Sequence, residues 1–388
     1  MAPFDRIPAE LQQREQQGLY RRRRVIQSPQ GRELVVDGRK LLNFCSNDYL
    51  GLASDARVRQ AFVAGVGAWG VGSGASHLIC GHSQVHHELE TALAEFCGRE
   101  RSLLFATGYA ANMGTVDALL GRGDQVFEDR LNHASLLDGA RLSGARLQRY
   151  RHRDLDDLEA RLRRHNGDTA RRLVVTDGTF SMDGTVCDIT ATAATARAHG
   201  AWLMLDEAHS LGVLGHGGRG LLADAADAQA DVQVLVGTLG KAFGTQGGFV
   251  AGTAELVELL IQTARTYIYS TALPAAVAAA TLMSLQLAER EEWRREKLRE
   301  LTQQFRAGAR RLGLDLVDSH TPIQPLLLGS EQAALQLSAR LESAGFMISA
   351  IRPPTVPAGT SRLRITLTAN HTPSDVAALL QALDEARA

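Results

Sequence analysis

A lysine with little polar company stands at position 241, in the run Val232–Gly248 (VQVLVGTLGKAFGTQGG). Val234, Leu235 and Val236 show no polar alternation, as in a parallel strand covered on both faces. Lys241 follows that strand's carboxyl end, where open α/β sheets place their ligands. Its small and apolar neighbours imply desolvation, which lowers an ammonium from about 10.4 and leaves an amine able to attack a carbonyl. A lysine snorkelling from a loop is the plainer alternative. A second apolar run, Trp202–His209 (WLMLDEAH), ends in Asp206, with His209 three residues on. A carboxylate closing a buried strand needs a cation to meet it.

Mg²⁺ is one such cation, because D-E-A-H is also the acidic box of a nucleic-acid-dependent ATPase. That reading requires a phosphate loop, GxxxxGK[ST]. Gly240-Lys241 is followed by Ala242, and Leu235 holds the place of the first glycine, so it fails. The other turns point elsewhere. Ala106–Asn112 (ATGYAAN) carries a strand into a helix, where Gly108 and Tyr109 would present free N–H groups and a positive helix end to a phosphate. Thr238 could add a hydroxyl there. His133, in Asn132–Ser135, could stack on a flat ring, and Ser181 lies within the acidic turn Thr176–Gly184 (TDGTFSMDG). Each turn alone is an ordinary strand–helix connection. One ligand satisfies them together, having an aldehyde for Lys241, a phosphate, a flat face and a protonated ring nitrogen for Asp206. That ligand is pyridoxal 5′-phosphate.

Other patterns carry less. Gly65–Gly70 (GVGAWG) matches G-x-G-x-x-G, but it follows the helical stretch Val58–Val66 rather than a strand, so it reads as small-residue packing. His82, His86 and His87 open a helix without H-E-x-x-H and read as surface or cap residues; no metal is expected. There is no G-x-S-x-G elbow. Four scattered cysteines without a CxxC pair argue against a zinc ribbon or a disulfide scaffold. A net charge of −1 gives no electrostatic case for nucleic acid. No uninterrupted apolar stretch approaches the roughly 18 residues of a membrane span, and the charged N-terminus does not suit a signal peptide. A cytoplasmic protein is expected.

The elements needed to position these groups follow from periodicity. Strand-like runs (Ser102–Ala106, Gln125–Phe127, Leu173–Thr176, Ala201–Leu205) alternate with helical ones (Val85–Phe96, Tyr109–Leu120, Leu155–Leu162, Ile189–His199). This predicts an α/β fold with a mainly parallel sheet. Gly31–Phe44 predicts a hairpin about Asp37-Gly38. Leu11–Arg24 is polar and ends in four arginines, a solvated face or a clamp for an anion. Pro274–Leu312 reads as a long helical bridge. Beyond Gly313 come a strand (Ile323–Leu328), a helix (Ala333–Ala344), two strands (Ile348–Ile351, Arg362–Thr366) and a helix (Ser374–Ala386). The expected division is an arm over 1–45, a large body over 46–285 and a small α+β domain over 286–388.

With NDYLGL, TGYAAN, NHASLLDG, FSMDG, LDEAHSLG, GTLGKAFG and IYSTALP, the chain resembles the α-oxoamine synthases, fold type I pyridoxal-phosphate enzymes with an aspartate-aminotransferase-like fold. The resemblance runs nearly end to end. It implies that Lys241 carries the cofactor and removes the α-proton, that Asp206 pairs with the ring nitrogen and that His209 bonds the phenolic oxygen. It further implies that His133 stacks on the ring, that Ser181 lies near it, and that Gly108, Tyr109 and Thr238 surround the phosphate. Arg21, Asn47 and Thr355 fall at substrate positions, and Arg364 at that of the amino-acid carboxylate. The segment Ile351–Thr368 (IRPPTVPAGTSRLRITLT) points to the branch that condenses L-alanine with a pimeloyl thioester, on coenzyme A or a carrier protein, with loss of CO₂. Glycine C-acetyltransferase is the alternative. The resemblance also implies a homodimer with shared sites, Tyr267–Thr271 reaching the neighbour's cofactor. Two positions depart from the wider family: Ala75-Ser76-His77 replaces Gly-Ser-Arg, and Asp177 replaces glutamate.

Overall fold

The computed structural model describes residues 4–164 and 170–387. They divide into two compact units, one of residues 4–46, 182–184 and 297–387, the other of residues 47–164, 170–181 and 185–296. This differs from the division expected from the sequence: the N-terminal segment clusters with the C-terminal residues, and the later boundary falls at 296/297, inside the helix Glu292–Arg311. The reason is visible within the first unit. Its hairpin, β1 (Glu33–Val36) and β2 (Arg39–Asn43), turns at Asp37 and Gly38, both at positive φ, as a two-residue loop requires. Arg32 then makes a bidentate ion pair with Asp375, through bonds of 2.6 and 2.5 Å.

The second unit is built on seven strands: β3 (Arg101–Phe105), β4 (Gln125–Asp129), β5 (Arg146–Tyr150), β6 (Arg172–Asp177), β7 (Trp202–Asp206), β8 (Val234–Thr238) and β9 (Gly248–Gly252). Their order is β3-β9-β8-β7-β6-β4-β5, parallel except for β9, which is antiparallel to both neighbours. Every residue of β4, β6 and β9 is buried, including the polar residues that flank the apolar centres Val126-Phe127 of β4 and Leu173–Val175 of β6. The edge strand β5 is polar, and the sequence pattern missed it along with the preceding helix Ala134–Ser143. Leu103, Val116, Val126, Val175, Met204, Val236 and Val250 belong to one core cluster packed on the sheet. The glycine-rich GVGAWG lies within and just after the helix Ala56–Trp69, where a Cβ on Gly65 would come 2.9 Å from Ala276 Cα. Helix packing is its role. The bridge expected over Pro274–Leu312 is two helices, Ala275–Arg290 and Glu292–Arg311.

The first unit continues with β10 (Ile323–Gly329), β11 (Phe346–Met347), β12 (Ser349–Ile351) and β13 (Ser361–Thr366). The order β10-β13-β12 forms an antiparallel sheet, while β11 joins β2 in parallel. Pro373 opens the last helix, whose capping box joins Thr372 and Asp375. Arg362 on β13 donates to Asp183 Oδ1 at 2.6 Å and holds the tip of the FSMDG turn within this unit. No helix among the described residues is long and apolar enough to cross a membrane.

Candidate active site

Six parallel strands end on one side of the large sheet, and the chemistry-bearing residues follow five of those ends. Asp177 and Asp206 are register partners at the ends of β6 and β7. Thr238 closes β8, Lys241 lies three residues on, His133 follows β4, and Gly108 starts the helix after β3. These residues, with Tyr109, Asn112, Thr179 and His209, line one cavity. Its place at the carboxyl ends matches the rule for open α/β sheets.

The electrostatics centre on Asp206, buried with its carboxylate held from two sides. Asn112 Nδ2 donates to Oδ2 at 2.6 Å, and the Ala208 N–H donates to Oδ1 at 2.8 Å. Asp177 receives the His133 N–H at 3.2 Å. Burial, then the neighbouring charge of Asp206, pushes the Asp177 carboxyl well above its ordinary range. His133 Nδ1 accepts from the Ser135 N–H at 3.3 Å, which leaves the ring proton on Nε2. Desolvation lowers the His133 pKa; the Asp206 charge opposes this and the Lys241 charge adds to it. The ring is therefore neutral near pH 7. His209 Nδ1 lies 2.7 Å from the Tyr49 hydroxyl, which also donates to Asn47 Oδ1 at 3.2 Å.

Lys241 is half-buried in a loop closed on itself: Leu239 N–H bonds Gly247 O at 3.0 Å, and Gly244 N–H bonds Lys241 O at 2.9 Å. At the cavity's other end, Thr107 caps the helix Gly108–Leu119 by accepting from the Ala110 N–H at 3.0 Å. The antiparallel β9 separates β3 from β8, and only glycines let their ends converge. A Cβ on Gly248 would lie 2.5 Å from Gly108 Cα, and one on Gly108 would lie 3.3 Å from Thr238 Cβ.

Of the residues singled out in the sequence, Lys241, Asp206, His209, His133, Gly108, Tyr109 and Thr238 share this cavity. Ser181 is buried in the turn after β6 and is not among its lining residues. Asn47 reaches it through Tyr49 and His209. Arg21, Thr355 and Arg364 belong to the first unit, where Arg21 Nη2 donates to Thr355 Oγ1 at 3.3 Å and Arg364 is buried on β13. The sequence reading gave no role to Asn112, Tyr49 or Ser135. The signal for Asn112 was a polar residue one helical turn after Gly108, on a face otherwise filled by Ala111, Thr115 and Val116. His86, read as a surface or cap residue, is a cap but fully buried.

A model of the family described as "Aminotransferase class I and II" matches residues 39–383. The chain is 61% identical to the 8-amino-7-oxononanoate synthase of Nitrosococcus oceani, over 96% of this chain and 99% of that one. The chain belongs to the 8-amino-7-oxononanoate synthases of the class I and II aminotransferase family. Among solved structures, a serine palmitoyltransferase from S. paucimobilis with a bound PLP–myriocin aldimine superposes with a TM-score of 0.93 at 30% identity, covering 99% of this chain and 97% of that one. The 8-amino-7-oxononanoate synthase of Francisella tularensis superposes with a TM-score of 0.76 at 31% identity, covering 89% and 97%. The expected α/β fold of type I pyridoxal-phosphate enzymes is the one observed.

The cavity also fits the cofactor of this family by its donor set. An amine, a doubly held carboxylate, a neutral imidazole and a helix N-terminus beside a threonine hydroxyl converge on it. Asn112 Oδ1 is buried without a partner among the described residues, leaving an acceptor on the same wall.

Proposed function

We propose that this chain catalyses the pyridoxal-phosphate-dependent condensation of L-alanine with a pimeloyl thioester, releasing CO₂ and forming 8-amino-7-oxononanoate for biotin synthesis. The observation that carries this is the convergence of Lys241, Asp206, His133 and His209 on one cavity in a chain 61% identical to a synthase of that name. The bound cofactor supplies an electron-poor ring that accepts the electron pair left on the amino acid's α-carbon.

The chain's own residues do the rest. Asp206 would keep the ring nitrogen protonated, and Asn112 and the Ala208 N–H fix that carboxylate so that little rearrangement accompanies the charge shift. Lys241 Nζ is the only amine among the lining residues; it would hold the cofactor's aldehyde and, when free, would move the α-proton of the amino acid. The neutral imidazole of His133 offers a face rather than a charge. His209, oriented by the Tyr49 hydroxyl, would hold the phenolic oxygen. The N–H groups of Gly108 and Tyr109 and the Thr238 hydroxyl would take the phosphate.

Arg21 and Thr355 would meet the far carboxylate of the pimeloyl chain, for which a guanidinium is the matching donor. Arg364 would meet the carboxylate of alanine. A homodimer with shared sites would cover the exposed apolar side chains Val71, Ile79 and Tyr269. A cytoplasmic location suits the thioester substrate. Glycine C-acetyltransferase is not favoured, since the Nitrosococcus oceani and Francisella tularensis relatives carry the synthase name. The test is steady-state product formation by purified protein. Turnover with alanine and pimeloyl-CoA should exceed that with glycine and acetyl-CoA by orders of magnitude; the reverse preference would refute the assignment.

A further inference from the structure

We propose that His82, His87 and Glu90 form a Zn²⁺ site outside the cavity that holds Lys241. His87 and Glu90 are three residues apart on the helix Gln84–Cys97 and so project from one face, while His82 lies in the turn just before its cap. Each offers one ligand atom, and the three atoms all lie within 4.8 Å of one another. His82 Nε2 and Glu90 Oε2 are 3.9 Å apart. Tetrahedral zinc with bonds of about 2.0–2.1 Å separates its ligands by roughly 3.3 Å, so small side-chain rotations close the set. His82 and His87 are exposed, which leaves a fourth position to water.

A competing trio, His77, His82 and His86, also falls within reach. His86 has no lone pair to give. Its Nδ1 accepts from the Ser83 N–H at 3.0 Å, so its Nε2 carries the proton and donates to Leu273 O at 2.5 Å. His77 serves instead as the outer partner. Its Nδ1 lies 2.9 Å from His82 Nδ1, so a His82 that ligates through Nε2 gives its other proton to His77. His77 is buried and stacked on Tyr267 at 5.1 Å, which fixes that acceptor. Glu90 is oriented in the same way: its Oε1 accepts the Leu104 N–H at 2.9 Å, leaving Oε2 for the ion. The bound ion would tie the 77–82 turn to the helix that follows it.

The test uses holoenzyme treated with a chelator, cleared of free cofactor and titrated with zinc sulfate in a calorimeter, with metal content counted after dialysis. One zinc per chain should bind at micromolar concentration or tighter and raise the melting temperature. His87→Ala, at an exposed position, should weaken binding at least tenfold and abolish the thermal shift, with turnover and the cofactor's visible band unchanged. His82→Asn should do the same. Failure of the wild-type protein to retain zinc, or equal zinc binding by wild type and both variants, would overturn the proposal.

Discussion

Asn112 Nδ2 donates to Asp206 Oδ2 at 2.6 Å, an amide reaching across 94 positions of sequence to hold the acid at the end of β7. The same amide also donates to Ser135 Oγ at 2.9 Å, so the helix after β3 and the helix after β4 meet at this amide. Asn112 positions Asp206 rather than reacting. Asn112→Leu should lower kcat about tenfold, the worth of one charge-assisted bond, with bound cofactor retained. Asp206→Asn should cost at least about a hundredfold. Rates and cofactor content measured side by side check both, and an unchanged kcat in either variant contradicts the role given to it.

Lys241→Ala should fold and yet carry no cofactor that borohydride can fix covalently. It should form no product. Circular dichroism, the visible spectrum after reduction and a product assay decide this, and retained turnover is the contrary result.

The glycine contact beside the helix Gly108–Leu119 makes an ordered prediction. Gly248→Ala drives a Cβ to 2.5 Å from Gly108 Cα, which is backbone and cannot yield cheaply. Gly108→Ala meets the Thr238 side chain at 3.3 Å, which a small adjustment relieves. Cofactor affinity should therefore fall more than about tenfold in the first variant and much less in the second, with a stability loss of about 1–3 kcal/mol in the first. Absorbance titration of the apo proteins with pyridoxal phosphate, alongside denaturant melts, tests the order.

Glu128 is fully buried on β4, and both its carboxylate oxygens lack a hydrogen-bond partner among the described residues; Arg149 Nε approaches only to 3.9 Å. Burial raises its pKa from 4.5 to about 7. A carboxyl raised on folding favours the native state below the unfolded value, and that contribution is lost as pH climbs from about 4.5 to 7. Glu128→Gln should thus raise stability at pH 8 by on the order of 2–3 kcal/mol and change it little at pH 4. Melts at the two pH values read this directly; a variant no more stable than wild type at pH 8 counts against it.

Arg21 and Thr355 already meet at 3.3 Å. Arg21→Gln should raise KM for pimeloyl-CoA by about 10–100-fold, as expected for losing a bond to a charged group, and Thr355→Val by less. An acyl-CoA without a terminal carboxylate should be indifferent to both changes.

Much of the fold was legible because its buried strands leave plain marks. The runs at 125–127, 173–176 and 201–205 are mostly apolar, without alternation, and correspond to β4, β6 and β7. The edge strand β5 hid because Arg146, Gln148 and Arg149 make it polar, and period alone cannot separate such a strand from a loop. The cavity residues that follow strand ends were readable for the same reason, since an abrupt Asp, Lys or Gly after an apolar run is conspicuous. Asn112 and Tyr49 were not. Their roles depend on contacts to Asp206 and His209, 94 and 160 positions away, and no local pattern encodes a partner at that distance.

The antiparallel strand β9 sets an order in time. β3 finds its sheet neighbour only in β9, so residues 101–105 wait for residues 248–252 before they are paired. Closing so long a loop is slow in any chain. Because Gly248 forms one wall beside Gly108, a ribosome must deliver almost two-thirds of the polypeptide before the vitamin-derived cofactor has a complete seat. Cofactor capture is thus a late event in the birth of this protein, following the assembly of the sheet rather than guiding it.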